Sequence, residues 1–397
     1  MQTQVIPYLG EIMKGGVEVS LLTFEPEFGK RWGAAEIEQK QTALAEIGIK
    51  WHALAYHKRP SAPATAWDVF AGAWHVRKLL KRERYDILHG RVHIPMLMGA
   101  LARKFSSHKP KLLFDIRGFF PEEYTDAGIW PENGWLYRSA KRVERWLMKE
   151  ADGFVVLTEK ARGILFPESA KTGFDRRRRP VEVIPCCVDP DRFNTVSLET
   201  RAEMRAELGI GERFVLAYVG AFGGWYLTEE MTDFYKAAKE LRPDTFALIL
   251  TQNDPAAVIA RLKERGYSDN DHFVGRVASA EIPRYLSAAD AALSFIKPSY
   301  SKQSSSPTKN AEYLACGLPF IANRGVGDVD ELISRQQIGV LVDGFSGEDY
   351  KRSLTGLEEM NVPAARCREI ADKEFGLGTV GGPRYRRLYK RLLQESE

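Results

Sequence analysis

Short apolar segments alternate with amphipathic helical segments along most of this 397-residue sequence. Each predicted strand is followed by a predicted helix, so neighbouring strands must run parallel. The strands are predicted at 17–24, 49–54, 86–89, 111–116 and 152–157 in a first series, and at 214–219, 245–250, 272–274 and 291–295 in a second. The pattern therefore predicts an α/β protein with two doubly wound, Rossmann-like domains.

A proline-containing stretch, residues 181–193, separates the two series. We place the domain boundary there, which predicts a first domain at 1–185 and a second at 186–378. The remaining segment, 379–397, contains a predicted helix with Tyr385 and Tyr389 on one face, since residues four apart are neighbours on a helix. The chain enters its first domain on a predicted helix, residues 3–16, rather than on a strand.

Composition places the chain among ordinary globular proteins, with 44% hydrophobic and 28% charged residues. No apolar run reaches the roughly 20 residues that span a bilayer, and the first residues do not resemble a signal peptide. The four cysteines lack metal-site spacing and suit a reducing compartment. We therefore expect a cytoplasmic protein whose cysteines are structural.

Charge is unevenly distributed: residues 1–180 hold 30 Lys and Arg against 21 Asp and Glu, and residues 181–397 hold 27 against 32. A basic half can attract an anionic membrane, a phosphorylated acceptor or nucleic acid, and it can also be a plain solvated surface. We expect no nucleic-acid binding. We predict weak, salt-sensitive contact with anionic membranes through Arg176–Arg179, the basic helix around Lys141, and the aromatic residues Phe119, Phe120, Trp130 and Trp135.

The sequence Ser306-Pro307-Thr308-Lys309 has the features of a helix start that binds an anion. Ser306 can cap the first turn and Pro307 suits the first helical position. Unpaired N–H groups, the helix dipole and Lys309 would then converge on a phosphate or diphosphate. Glu312, about one turn further, can accept hydrogen bonds from ribose hydroxyls. The alternative is an ordinary capped surface helix.

Residues 300–330 resemble the Glu-x7-Glu region of retaining glycosyltransferases of family 4, which have the GT-B fold. The resemblance implies that Glu312 binds the nucleotide ribose. Ser304 stands where the family's first glutamate contacts the donor sugar. The string 115–123 also resembles a bacterial subgroup of this family.

Other loops are further candidates. Gly220, Gly223 and Gly224 follow a strand and would let backbone approach a phosphate. Ala221 stands where many relatives carry an arginine that binds the diphosphate. The turn at Arg276 and Val277 corresponds to one that packs on the nucleotide base in the family, although a plain β–α turn fits equally.

In the first domain, Asp115, Arg117 and Glu123 follow a strand, where catalytic groups collect. They are candidates for acceptor orientation or proton removal, and a salt bridge between Arg117 and nearby carboxylates is the structural alternative. Together the candidates are Asp115, Arg117, Glu123 and Lys309 for catalysis, and Gly220, Gly223, Gly224, Arg276, Val277, Ser304, Ser306, Thr308, Lys309 and Glu312 for donor binding.

No metal or cofactor is expected. His89 and His93 lack a third ligand, and the triplets at 189–191 and 328–330 suit turns and caps. Relatives of this type begin with a strand and a glycine-containing loop, so we expect sequence encoded upstream of Met1 to supply a central strand.

The resemblance implies transfer of a sugar from a UDP- or GDP-linked donor to a glycan or lipid-linked acceptor, with retention of configuration. Two other functions stay open. One is a nucleotide-sugar epimerase of the same fold, and the other is a catalytically silent subunit that binds nucleotide and supports a partner transferase.

Overall fold

The computed structural model describes residues 4–26, 28, 32–193 and 196–394. Its first half consists of α1 Ile6–Met13, β1 Val19–Pro26, α2 Ala34–Glu46, β2 Ile49–Tyr56, α3 Ser61–Arg82, β3 Ile87–Arg91, α4 His93–Lys104, β4 Lys111–Ile116, α5 Phe120–Asp126, α6 Trp135–Glu150, β5 Gly153–Val156, α7 Glu159–Leu165, α8 Ser169–Thr172 and β6 Val181–Val183. Position 3, where the first helix was predicted to begin, lies outside the described residues.

The second half repeats the alternation and ends in helices. It consists of α9 Leu198–Glu207, β7 Val215–Val219, α10 Thr228–Leu241, β8 Phe246–Leu250, α11 Pro255–Glu264, β9 His272–Gly275, α12 Ile282–Leu286, β10 Ala291–Ser294, α13 Thr308–Ala315, β11 Phe320–Asn323, α14 Val329–Gln336, β12 Gly339–Val342, α15 Gly347–Met360, α16 Ala364–Phe375 and α17 Gly382–Gln394.

The second sheet is fully parallel, in the order β12-β11-β10-β7-β8-β9. Its strands are buried on both faces, as the side chains of β7 show. Val215 and Ala217 enter one hydrophobic cluster while Leu216 and Tyr218 enter the other. Strand order reverses between β7 and β10, and ligands of such sheets bind at the carboxyl ends of the strands at this point.

The first half is also parallel but is divided into two pieces, β1-β2 and β3-β4-β5-β6. In the part of the chain that the structure describes, β1 and β3 do not pair with each other. Helix α1 packs on both pieces, because Leu9 contacts the core on either side. The predicted α/β class is confirmed, and the expected extra strand stays a prediction.

Helix α17 lies against the first half of the chain. Tyr385 stacks edge-on against Tyr8 of α1, with ring centroids 5.6 Å apart, and Arg387 forms an ion pair with Glu182 of β6 at 2.8 Å. Because Tyr385, Leu388 and Leu392 are all buried, this helix fixes the end of the second half onto the first.

Two helices of the first half contain a proline in their first turn. In α5, Phe120–Asp126, the proline lies where its missing N–H costs nothing. Helix α3 begins at Ser61, and Pro63 is accommodated for the same reason.

Candidate active site

Two loops leave the second sheet at the point where its strand order reverses. The glycine loop, residues 220–225, follows β7, and the connecting segment, residues 295–307, joins β10 to α13. Both loops leave the carboxyl ends of their strands. The sequence candidates for donor binding are therefore concentrated where a parallel sheet binds its ligand.

The start of α13 differs from the prediction in its capping. The helix begins at Thr308 with Pro307 in the N-cap position, and no side chain among the described residues caps it. Ser306 instead accepts a hydrogen bond from the backbone N–H of Cys186 at 3.0 Å. The predicted Ser306 cap is thus wrong, because its hydroxyl binds the backbone of the stretch that joins the two domains. The N–H groups of the first turn consequently have no side-chain acceptor.

Lys309 lies in the first turn of α13 and is almost fully buried. Its ammonium sits over two aromatic rings, 4.4 Å from the centroid of Tyr218 and 4.2 Å from that of Tyr226, and it is 3.3 Å from the Tyr218 hydroxyl. No ion pair to this ammonium is found among the described residues. Burial lowers the pKa of Lys309 to about 7, and the Glu312 carboxylate acts in the opposite direction. An anion at this position would restore its charge.

The glycine loop comes close to this lysine. A Cβ at Gly220 would lie 2.9 Å from the Lys309 ammonium, and the backbone there has a positive φ of 149°. Gly223 and Gly224 also have positive φ, and nothing lies within 4 Å of a Cβ placed on either. Glycine is therefore required at Gly220 by contact and at the other two by backbone conformation, and the loop leaves open space beside Lys309.

Glu312 lies one turn beyond Lys309, and its ion-pair partner among the described residues is the guanidinium of Arg192, which lies loosely at 3.9 Å from the carboxylate. Burial raises the pKa of Glu312, while the charges of Arg192 and Lys309 oppose that shift. Arg192 also donates to the backbone oxygen and the hydroxyl of Ser279, at 3.0 and 3.1 Å. Ser279 lies in the turn between β9 and α12, which begins at Ile282.

The turn after β9 is thereby held beside Glu312. Val277 packs partly buried against the core, and Arg276 is exposed and donates to the backbone oxygen of Asn253 at 3.3 Å. The Glu312 carboxylate, the Arg192 guanidinium and the backbone of the turn after β9 therefore form one surface. A nucleoside site requires such a surface. Sequence reasoning missed Arg192, which lies in a short 3-10 turn after the domain boundary and carries no motif of its own.

Ser304 is buried and fully hydrogen-bonded. Its hydroxyl accepts from the backbone N–H of Phe119 at 3.1 Å and donates to the backbone oxygen of Ser301 at 2.7 Å. The backbone oxygen of Gln303 accepts from Thr158 at 2.8 Å. Residues 301–306 therefore join the two domains, and the Ser304 hydroxyl is engaged with the first domain instead of facing a donor sugar.

A second contact between the domains is made by Asp328, just before α14. Its two carboxylate oxygens accept from the backbone N–H groups of Glu159 and Lys160, at 2.6 and 3.1 Å. An acidic residue of the second domain thus caps α7 of the first. The sequence predicted a capping role for the triplet at 328–330. Asp328 does cap a helix, but that helix belongs to the other domain.

Asp115 is completely buried at the end of β4. The Tyr385 hydroxyl of α17 donates to its carboxylate at 3.0 Å, and the guanidiniums of Arg91 and Arg117 lie 3.4 and 3.6 Å away. Burial opposes its ionisation, but the charge of Arg117, hydrogen bonding from His89 and the charge of Arg91 hold the pKa of Asp115 below its usual range. Such a carboxylate is a weak base, and the ion pair with Arg117 matches the structural alternative drawn from the sequence.

Glu123, at the start of α5, is half-exposed and lies 3.3 Å from the ammonium of Lys302. That lysine is itself buried and lies 3.9 Å from the ring centroid of Trp225 in the glycine loop. Lys302 thus supplies a second cation near the glycine loop, where Ala221 replaces the arginine of many relatives. It was missed because nothing in its local sequence marks it.

A cavity of about 460 Å³ lies elsewhere in the second domain. Its lining includes Phe214, Ala291 and Pro319, which lie at or just before the amino ends of three strands. Since ligands of parallel sheets bind at the opposite edge, this cavity is not part of the candidate active site.

Two α/β domains that meet across a cleft, with an anion-type site at the strand reversal of the second, define the GT-B class of glycosyltransferase folds. The family model Glycosyltransferase Family 4 matches residues 9–192, and the model Glycosyl transferases group 1 matches residues 200–374. The chain belongs to family 4 of the glycosyltransferases, within group 1. The fold and family predicted from residues 300–330 and 115–123 are confirmed.

Solved structures with this fold include Anabaena HepE in complex with UDP and glucose, at a TM-score of 0.65 and 16% identity over 97% of this chain and 96% of that one. A glycosyltransferase from Rickettsia africae gives a TM-score of 0.67 and 16% identity over 98% and 94%. The 2-deoxystreptamine glucosyltransferase of Streptomyces kanamyceticus is 26% identical over 250 residues, which are 60% of this chain and 61% of that relative. No described helix is long and apolar enough to cross a membrane.

Proposed function

We propose that this protein transfers a hexose from a nucleoside diphosphate sugar to a glycan or lipid-linked acceptor, with retention of configuration. The observation that carries the proposal is Lys309, a buried lysine at an uncapped helix start with no counter-ion among the described residues. A buried cation without a partner is costly, so a functional anion is the natural explanation of its retention.

In this proposal the diphosphate lies between α13 and the glycine loop, and Glu312 accepts from the ribose hydroxyls. The sugar–phosphate bond breaks as the bond to the acceptor oxygen forms, negative charge grows on the departing diphosphate, and the proton of the acceptor hydroxyl passes to the departing phosphate oxygen. Lys309 and the first-turn N–H groups face that charge, so they stabilise the transition state more than the bound donor.

UDP-glucose is the donor we propose to test first. The support comes from the relatives: HepE was solved with UDP and with glucose, and the curated relative is a glucosyltransferase. GDP-mannose is the matched alternative, because no side chain among the described residues has been tied to the base. In this proposal Asp115 and Arg117 hold the first-domain wall of the cleft in position. Glu123 faces the side of the cleft on which the acceptor binds.

The test is product analysis with purified protein, UDP-glucose or GDP-mannose, and a panel of glycan and lipid-linked acceptors. Transfer with an α-linked donor giving an α-linked product supports the proposal. A donor epimer formed without acceptor would identify the epimerase, and donor binding without any product would identify the silent subunit.

Comparing Lys309→Ala with Lys351→Ala tests whether activity depends on Lys309 in particular. Lys351 is half-buried on α15 and pairs with Glu240 of α10 at 2.9 Å, where it makes no contact with Lys309 or Glu312. Loss of Lys309 should reduce turnover at least about 100-fold, as for removal of one transition-state donor, while loss of Lys351 should change nothing. Equal activity of both variants would contradict the assignment.

A further inference from the structure

The outward face of α3 is aromatic. Trp67, Phe70 and Trp74 are 57%, 60% and 47% exposed, and adjacent rings along the helix lie 6.0 and 6.4 Å apart. Their spacing of three and four residues places them in one stripe, because residues at these intervals share a helix face. Three large aromatic side chains in contact with each other and with solvent form an exposed patch of the kind that marks an interaction site.

The same stripe continues as a basic surface. Lys78 and Lys81 lie four and seven residues after Trp74 and are exposed, and the guanidinium of Arg77 and the ammonium of Lys78 each lie 5.6 Å from the Trp74 ring centroid. The sole acidic residue of α3, Asp68, is on the buried face and pairs with His57 at 2.5 Å. The exposed face of α3 is thus aromatic in its first half and cationic in its second.

We propose that this face of α3 docks flat on the headgroup region of an anionic lipid bilayer. Helices that lie in such an interface combine Trp and Phe on one side with Lys and Arg that reach the phosphates. From Trp67 to Lys81 the stripe is about 21 Å long at 1.5 Å per residue. The charge complementarity favours an anionic surface over a neutral one.

The surface expected from the sequence is less suited to this role. Arg179 is paired with Asp175 at 2.6 Å, Lys141 is paired with Glu122 at 3.0 Å, and Phe119 is buried. These groups are therefore engaged within the fold. Trp135 of α6 is still exposed, which makes it the matched control for the aromatic residues of α3.

Helix α3 follows β2, so its aromatic first turns lie at the carboxyl ends of the β1-β2 piece. The inference does not depend on the proposed reaction, since vesicle binding is measured without donor or acceptor.

The experiment is co-sedimentation of the full-length protein with phosphatidylglycerol/phosphatidylcholine vesicles and with phosphatidylcholine vesicles, at low and high salt. The aromatic variant is Trp67→Ser/Phe70→Ser/Trp74→Ser, the charge variant is Lys78→Glu/Lys81→Glu, and the control is Trp135→Ser. Circular dichroism and thermal unfolding verify that each variant is folded.

The wild-type protein and the Trp135→Ser control should bind anionic vesicles at low salt. The aromatic and charge variants should each bind at least about tenfold more weakly, with the charge variant losing its salt dependence. Equal binding of neutral and anionic vesicles, or unchanged binding by a folded aromatic variant, would overturn the proposal. A wild-type dimer that ignores vesicles and dissociates in the aromatic variant would also overturn it, in favour of a contact between copies.

Discussion

Raising the pH from 6 to 8 should weaken UDP-glucose binding about tenfold, because donor binding needs the charged form of Lys309. The pKa of this lysine in the folded protein is about 7, so the fraction that is protonated falls from about nine-tenths to about one-tenth over this range. A bound diphosphate stabilises the charged ammonium of Lys309 and so raises the pKa of that lysine again. The affinity therefore decreases as pH rises through 7, by about 1.4 kcal/mol in two pH units.

Isothermal titration calorimetry with UDP-glucose measures this directly. The sugar diphosphate has no titrating proton in this range, so the proton taken up on binding belongs to the protein. In buffers of different ionisation enthalpy, uptake should rise from about half a proton at pH 7 to about nine-tenths at pH 8. Lys309→Met, which keeps the apolar stem and removes the charge, should bind roughly 10- to 100-fold more weakly at pH 6.

The Lys309→Met profile should be flat with pH, and the wild-type curve should approach it near pH 9. Lys351→Ala should keep the wild-type slope. A wild-type affinity that does not change between pH 6 and 8, or a slope that persists in Lys309→Met, would refute the assignment of Lys309 as the diphosphate-binding cation.

Three other substitutions separate binding from structure. Glu312→Gln should weaken donor binding by roughly 1.5–3 kcal/mol with little change in Tm, because its carboxylate has only a loose partner in the free protein; a fall in Tm at unchanged affinity would make it a structural residue. Asp115→Asn should cost about 3 kcal/mol of stability on chemical unfolding, since it leaves Arg117 buried without its counter-charge, and wild-type stability would contradict this. Asp328→Ala should lower the free energy of unfolding by about 1 kcal/mol, because α7 loses one cap; an unchanged free energy on chemical unfolding would contradict this.

The sequence was sufficient to predict two parallel α/β halves and the placement of Lys309 and Glu312 on one helix. Strand and helix periodicity decided the class, because buried parallel strands and amphipathic helices leave different patterns. The distance of one helical turn between the two charged residues then placed them on one face of α13. Such features are local in the chain, which is why they could be predicted without coordinates.

The roles of Ser304, Ser306 and Asp115 could not be predicted in the same way. Each side chain is used by a group more than 100 residues away in the sequence: Phe119, Cys186 and Tyr385, respectively. A serine before a helix is a good capping residue on local grounds, but here the backbone N–H of Cys186, in the stretch that joins the two domains, binds its hydroxyl. The division of the first sheet is likewise a property of strand pairing that no local pattern reveals.

The contacts of residues 301–306 bear on how the donor sugar is held. Because the Ser304 hydroxyl already accepts and donates a hydrogen bond, it has little capacity left for a sugar while the domains are in contact. The hydrogen bonds from the backbone N–H of Phe119 to Ser304 and from the Thr158 hydroxyl to the backbone oxygen of Gln303 join this segment to the first domain. Separating the two domains would break both of them, so these bonds stabilise the contact between the domains.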